Sequence, residues 1–131
     1  MQQQHISFRL ELYEPEIEIT ADEKLLSQTL INLLKNAMQA LEGQEDKQIN
    51  IRVNRNKQLL IIEVTDNGPG IPTEMQEDIF VPFFTTKSSG TGIGLSLSRQ
   101  IIQMHGGNLS VQSIPYAETC FRIVLPTKSY S

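Results

Sequence analysis

Residues 22–42, DEKLLSQTLINLLKNAMQALE, decide how this chain folds. Leu25, Leu26, Leu30, Leu33, Leu34, Ala37, Met38 and Leu41 recur at three- and four-residue spacing, which predicts one long helix with a single apolar side. Thr20 followed by Glu23 matches a capping box, and the helix is expected over about 22–42. Upstream, Phe8, Leu10 and Leu12 alternate with Arg9, Glu11 and Tyr13, and Ile17 and Ile19 alternate with glutamates. This is the pattern of two half-buried strands, divided at Pro15. Downstream, Ile49, Ile51 and Val53 alternate, residues 54–56 read as a polar turn, and residues 59–65 form an apolar, β-branched run, so a hairpin is expected. DNGPGIP then opens a long loop whose one helical candidate is 73–79. Residues 93–104 regain helical periodicity, Gly106 and Gly107 end it, and 109–113 and 121–125 read as closing strands. The sum is a two-layer α/β sandwich, with helices covering one face of a mixed, largely antiparallel sheet.

Composition narrows the function. With 131 residues and 39% hydrophobic content, the chain has the core of one compact domain, residues 1–131. A net charge of −4 supplies no broad basic field, so no nucleic-acid partner is expected and any phosphate site has to be local. The single cysteine, Cys120 in TCFRIVLP, reads as a buried strand thiol in a reducing, cytoplasmic setting. No apolar run approaches the roughly 18 residues of a membrane span, and whether a parent protein is membrane-anchored is left open.

Four segments carry chemistry. Asn32 and Asn36 stand four apart on an otherwise apolar helix, so their amides share a side. An amide carbonyl suits the oxygen shell of Mg²⁺, while the ordinary alternative is bonding to backbone or water. Lys35 beside them either offsets phosphate charge or is simply solvated. Asp66, Asn67, Gly68, Pro69 and Gly70 directly follow the apolar strand. A carboxylate there can accept from the exocyclic amine of adenine, and glycines admit backbone close to a flat base, although an Asx-Gly turn explains the same letters. Gly90, Thr91, Gly92 and Gly94 lead into the second helix, a backbone N–H cradle for phosphates without the lysine of a Walker loop. Between the glycine segments, Phe80, Phe83 and Phe84 hold three of the five phenylalanines. They form either a lid that packs down or filling for the core, and Lys87 stands at its tip.

Taken in order, NLLKNAMQA, DNGPGIP, IFVPFFTTK and GTGIGLSLSRQII resemble the N box, first glycine box, F box and second glycine box of sensor histidine kinases. That superfamily also holds gyrase, mismatch-repair ATPases and a heat-shock chaperone. The resemblance runs over residues 20–125 and implies a Bergerat-type ATP site with a lid. It places Asn36 on Mg²⁺ and Asp66 on adenine, with Gly68, Gly70 and Ile71 around the base. It also lays Gly90, Thr91, Gly92, Gly94 and Leu95 along the phosphates and Thr119 near adenine; Asn32 is read as binding nucleotide beside Asn36, and Lys87 at the loop tip can reach a γ-phosphate. Asn36 and Lys87 are the implied catalytic residues. Two positions depart from the pattern: Ala117 and Glu118 stand where a glycine is common, and Gln39 where many relatives carry a charge.

Hydrolases of the superfamily place a glutamate where this chain has Asn32, and an amide cannot accept the proton, so phosphotransfer is expected over hydrolysis. The acceptor histidine of the family lies on a separate dimerising helix, followed by an acidic residue. His5 and His105 lack that context and read as ordinary histidines. The implied activity is γ-phosphate transfer from ATP to a histidine on that dimerisation and phosphotransfer domain, for relay to a response-regulator receiver domain. The isolated domain is expected to be monomeric and its parent kinase homodimeric. Two other classes remain: a nucleotide-binding module without kinase activity, and a serine kinase of the anti-sigma-factor type.

Overall fold

A computed structural model describes residues 6–12, 22–82 and 94–127. Five strands, β1 (Ser7–Leu12), β2 (Gln48–Asn56), β3 (Leu59–Asp66), β4 (Asn108–Ile114) and β5 (Glu118–Pro126), form one sheet in the order β1-β2-β3-β5-β4. β1 pairs parallel with β2, and every other pairing is antiparallel. Helices α1 (Glu23–Ala40) and α2 (Gly94–Met104) cover one face, as the hydrophobic patterning anticipates. Leu33, Ala37 and Leu41 recur every four residues and bury α1 against Ile49, Leu60, Ile62 and Val64 of β2 and β3 and Phe121, Ile123 and Leu125 of β5. Those β3 and β5 residues are register partners, Val64 with Phe121 and Ile62 with Ile123, so the core is a set of cross-strand rows capped by one helix stripe.

The other face is polar and carries a row of ion pairs across four strands. Arg52 Nε lies 3.2 Å from Glu11 on β1, and Arg122 Nη2 lies 2.9 Å from Glu63 on β3. Arg52 Nη1 closes the row at 4.0 Å from Glu63. α2 runs back along the first half of α1. Its first turns abut Asn32, and His105, just past its end, accepts a hydrogen bond at Nε2 from the Asp22 N–H at 3.0 Å. Gly106, at φ +81°, then closes α2 with the paired bonds of a Schellman motif, Gly107 N–H to Ile102 O and Gly106 N–H to Gln103 O.

Local details depart from the sequence expectation. The N-cap of α1 is Asp22, whose carboxylate accepts from the Leu25 N–H at 3.1 Å; Thr20 and the expected strand around Ile17 and Ile19 lie outside the described residues. β2 continues through the residues read as a turn, because Asn54 and Asn56 pair with Ile61 and Leu59, and the reversal falls at Lys57–Gln58 with Lys57 at φ +59°. The expected helix over 73–79 is two 3-10 turns, Thr73–Met75 and Asp78–Phe80. Phe8, Leu10 and Leu12 are not half-buried: their exposures of 58, 62 and 58% reflect an edge strand that reaches beyond the helix layer. Among the described residues no helix is long and apolar enough to cross a membrane.

Candidate functional site

One stripe of α1 organises the site. Asn32, Asn36 and Ala40 follow one another at four-residue spacing and share a side of the helix. At the Ala40 end lies the loop after β3. A Cβ added to Gly68 would stand 3.2 Å from the Ala40 carbonyl oxygen and 2.8 Å from Asp66 Oδ1. Glycine is therefore what lets the loop lie between helix and carboxylate. At the Asn32 end lies the start of α2, where a Cβ on Gly94 would come within 2.8 Å of both atoms of the Asn32 amide head. Gly68 and Gly94, 26 positions apart in the chain, are thus brought to opposite ends of one helix stripe about 12 Å long.

Asp66 ends the central strand and is 2% exposed. Its Oδ1 accepts the Gly68 N–H at 2.9 Å, an Asx turn that curls the loop over the strand end. Thr119 is its register partner on β5, 4% exposed and on the same face. With Ala117 and Glu118 before it, Thr119 still stands beside Asp66 across the β3–β5 pairing.

The asparagines have separate tasks. Asn32 donates from Nδ2 to Ser98 Oγ on α2 at 2.8 Å, a tie between helices. Asn36 donates from Nδ2 to the Asn32 carbonyl at 2.9 Å, which orients its amide and leaves Oδ1 without a hydrogen bond among the described residues. Among those residues no group of three or more His, Cys, Asp and Glu could hold a metal ion. A divalent cation would have to combine protein amide oxygen with ligands brought by a phosphate, and Asn36 Oδ1 fits that requirement. Lys35 lines a groove of about 180 Å³ between α1 and α2, together with Asn32, Gly94 and Ser98.

The first glycine loop is fastened by residues to which the sequence assigned no role. Gly70 has φ +77°, and a Cβ there would fall 2.5 Å from the Ile114 carbonyl oxygen, so its need for glycine comes from the β4–β5 turn. Ile71, expected at the base, donates its N–H to Ser113 Oγ at 2.6 Å, and that hydroxyl donates to the Glu118 carbonyl at 2.8 Å. Gln76 donates to the carbonyls of Ile71 and Ser113. On the opposite side Asn67 Oδ1 accepts the Gln48 N–H at 2.8 Å, and Gln44 donates to the Asn67 carbonyl at the same distance. In the sequence Ser113 is only the last residue of an expected closing strand, 109–113. Lys87, Gly90, Thr91 and Gly92 lie outside the described residues, while Gly94 and Leu95 form the first turn of α2.

A buried carboxylate at a strand end, a glycine loop seated on α1 and Gly94 at the start of α2 thus lie along one side of one helix. The family model for histidine kinase-, DNA gyrase B- and HSP90-like ATPases matches residues 21–129. The chain belongs to that family. Within it, the sensor kinases are similar throughout: AtoS of Escherichia coli (strain K12), a signal transduction histidine-protein kinase, is 42% identical over 125 residues, which cover 95% of this chain and 20% of AtoS. The catalytic domain of histidine kinase ThkA superposes with a TM-score of 0.83 at 37% identity, covering 92% of this chain and 78% of the other. ThkA in complex with the response regulator protein TrrA matches with a TM-score of 0.80 at 33% identity over 94% of this chain and 34% of that one. The chain therefore spans a fifth of AtoS, and it is an ATP-binding domain of the histidine kinase type.

Proposed function

We propose that the chain binds Mg²⁺-ATP along the Asn32–Asn36–Ala40 stripe and, joined to a dimerisation domain, transfers the γ-phosphate to a histidine carried there. The phosphate then passes to an aspartate of a response-regulator receiver domain. The observation that carries this is the stripe itself, which links a carboxylate suited to adenine at one end to a helix N-terminus suited to phosphate at the other.

The Asp66 carboxylate accepts from the exocyclic amine of adenine, which selects against guanine, with Thr119 beside it and Gly68, Gly70 and Ile71 shaping the base pocket. Bound Mg²⁺ supplies charge neutralisation at the phosphate oxygens, with Asn36 Oδ1 as its protein ligand. Asn32 positions α2 through Ser98, so the first-turn N–H groups at Gly94 and Leu95 lie along the phosphates. Lys87, Gly90, Thr91 and Gly92 complete the phosphate end by the resemblance of their motif. Asn32 holds no proton-accepting group where a hydrolase needs its base, which keeps water from competing with a histidine nucleophile. That nucleophile is supplied by another domain: His105 uses Nε2 for the Asp22 N–H and Nδ1 for the Ile101 carbonyl. The chain acts as one monomeric domain of a homodimeric parent whose kinase part lies in the cytoplasm. AtoS, ThkA and the ThkA complex with TrrA support this reading through their names as histidine kinases and partners of a regulator.

The test is calorimetric titration of the chain with ATP and GTP, with and without Mg²⁺, followed by radiolabelled phosphotransfer to a supplied histidine-bearing dimerisation domain. Selective, Mg²⁺-sensitive ATP binding and histidine labelling are expected. Binding without labelling would leave a nucleotide-dependent binding module, labelling on serine an anti-sigma-factor-type kinase, and no binding would overturn the site.

A further inference from the structure

A cationic clamp joins the two segments that flank residues 83–93. The Arg99 guanidinium lies over the Phe80 ring, with Cζ 4.1 Å from the centroid, and Nη1 donates to Glu77 Oε2 at 3.2 Å. Phe80 is 6% exposed and meets Phe121 of β5 edge to face, with centroids 6.4 Å apart and planes at 87°. Phe80 is thus anchored in the core, and Arg99 is anchored on Phe80. Arg99 Nε is buried and makes no hydrogen bond among the described residues. A guanidinium placed for maximal hydrogen bonding would not sit so; its position is set by the ring.

Arg99 and Ser98 point about 100° apart around α2, as neighbours on a helix do. Ser98 ties α2 to Asn32 of α1, and Arg99 ties it to the second 3-10 turn. Two ties from different directions add to the burial of Ile101 and Ile102 in fixing the rotation of α2 about its own axis. That rotation sets where the N–H groups of Gly94, Leu95 and Ser96, one turn upstream, stand around the helix axis. The 3-10 segment is itself fastened to the first glycine loop through Gln76 and the Ile71 carbonyl. Contacts therefore run without a break from the base loop, through Phe80 and Arg99, to the start of α2.

We infer that Arg99 is a positioning residue for the phosphates of the bound nucleotide: it aims the first turn of α2 from the base-side segment without touching the ligand. This rests on the nucleotide site proposed above. The experiment compares the unaltered chain with Arg99→Met, which keeps an unbranched, helix-favouring stem but removes the cation, and with Arg99→Lys, which restores charge over the ring. Affinities for Mg²⁺-ATP and for adenosine are measured by calorimetry, alongside thermal midpoints. Arg99→Met should weaken ATP about tenfold while adenosine stays within about twofold, and Arg99→Lys should return ATP to within about threefold of the parent. Equal loss for ATP and adenosine, or ATP affinity unchanged in Arg99→Met, would overturn the inference. If Arg99→Met does not fold, Phe80→Leu, which keeps an apolar side chain but removes the π face, carries the same comparison. Failure of the unaltered chain to bind ATP at all would overturn the nucleotide site itself, a distinct result.

Discussion

Replacing Gly70 by alanine tests the seating of the base loop, and Gly43→Ala is its built-in control. Both glycines hold left-handed backbone, at φ +77° and +82°. Both substitutions therefore carry about 1–2 kcal/mol of left-handed strain, partly offset by about 0.4–1 kcal/mol from the stiffer denatured chain. Those contributions cancel in the comparison. What remains is space: a methyl at Gly43 meets nothing within 4 Å, whereas at Gly70 it would lie 2.5 Å from the Ile114 carbonyl oxygen and 3.0 Å from both Pro115 Cα and Ser113 Oγ. Two of these atoms are backbone and cannot rotate away. Overpacking of this kind costs about 1–3 kcal/mol. Relieving it separates the loop from the β4–β5 turn and weakens the Tyr116 N–H to Pro69 carbonyl and Ile71 N–H to Ser113 hydroxyl bonds, worth about 1 kcal/mol each. Gly70→Ala should thus be less stable than Gly43→Ala by roughly 2–4 kcal/mol, or on the order of 10 °C in thermal midpoint for a domain of this size. Urea unfolding followed by circular dichroism measures it, with equal slopes for the two variants. Equal midpoints would refute the packing of DNGPGIP against the turn, and with it the account of Gly70.

Asp66→Asn keeps an oxygen for the Gly68 N–H but loses the carboxylate charge, so ATP affinity by calorimetry should fall about tenfold or more and discrimination against GTP should narrow. Asn36→Ala should weaken ATP binding in Mg²⁺ by a similar factor and leave binding in chelator unchanged; equal losses in both would remove Asn36 from the metal. His105→Ala should lower stability by about 1–2 kcal/mol in urea, since the Asp22 N–H loses its acceptor, and His105→Gln should recover part of it. Burial raises the Cys120 thiol above its ordinary range, reinforced by the Glu63 carboxylate and opposed by the Thr65 hydrogen bond and Arg122. A thiol harder to ionise when folded stabilises fully below about pH 8.5 and loses that contribution as pH rises through its folded value. Cys120→Ala should flatten the alkaline fall in urea midpoint, and parallel profiles would contradict this.

The course of the chain was legible where one period dominated. The leucines of α1, the alternation in β2 and the apolar run of β3 each marked their element, while the strand order came only with the structure. Local signals failed where two competed at short range. Thr20–Glu23 and Asp22 are both credible helix starts, and only the Leu25 N–H geometry decides for Asp22. The β2–β3 reversal has no Asn-Gly or Asp-Gly signature, because pairing of Asn54 and Asn56 with β3 drives Lys57 into left-handed backbone. The site motifs were readable as letters, but their division of labour was not. That Asn32 serves Ser98, that Gly70 answers to Ile114 and that Ser113 holds Ile71 are contacts across 42 to 66 positions, which no local pattern encodes.

The α1 stripe also sets a rule for chain length. A helix turns about 100° with each residue, so one residue inserted between Asn32 and Ala40 would swing the Gly68 seat a quarter-turn or more away from the Gly94 seat. The same insertion near Gly43, where the chain has already left the helix, shifts neither seat against the other. α1 therefore works as a gauge bar: the spacing between the Gly68 and Gly94 seats is counted in backbone units, and insertions across 32–40 should abolish the proposed nucleotide binding while those at 42–43, short of Gln44, spare it.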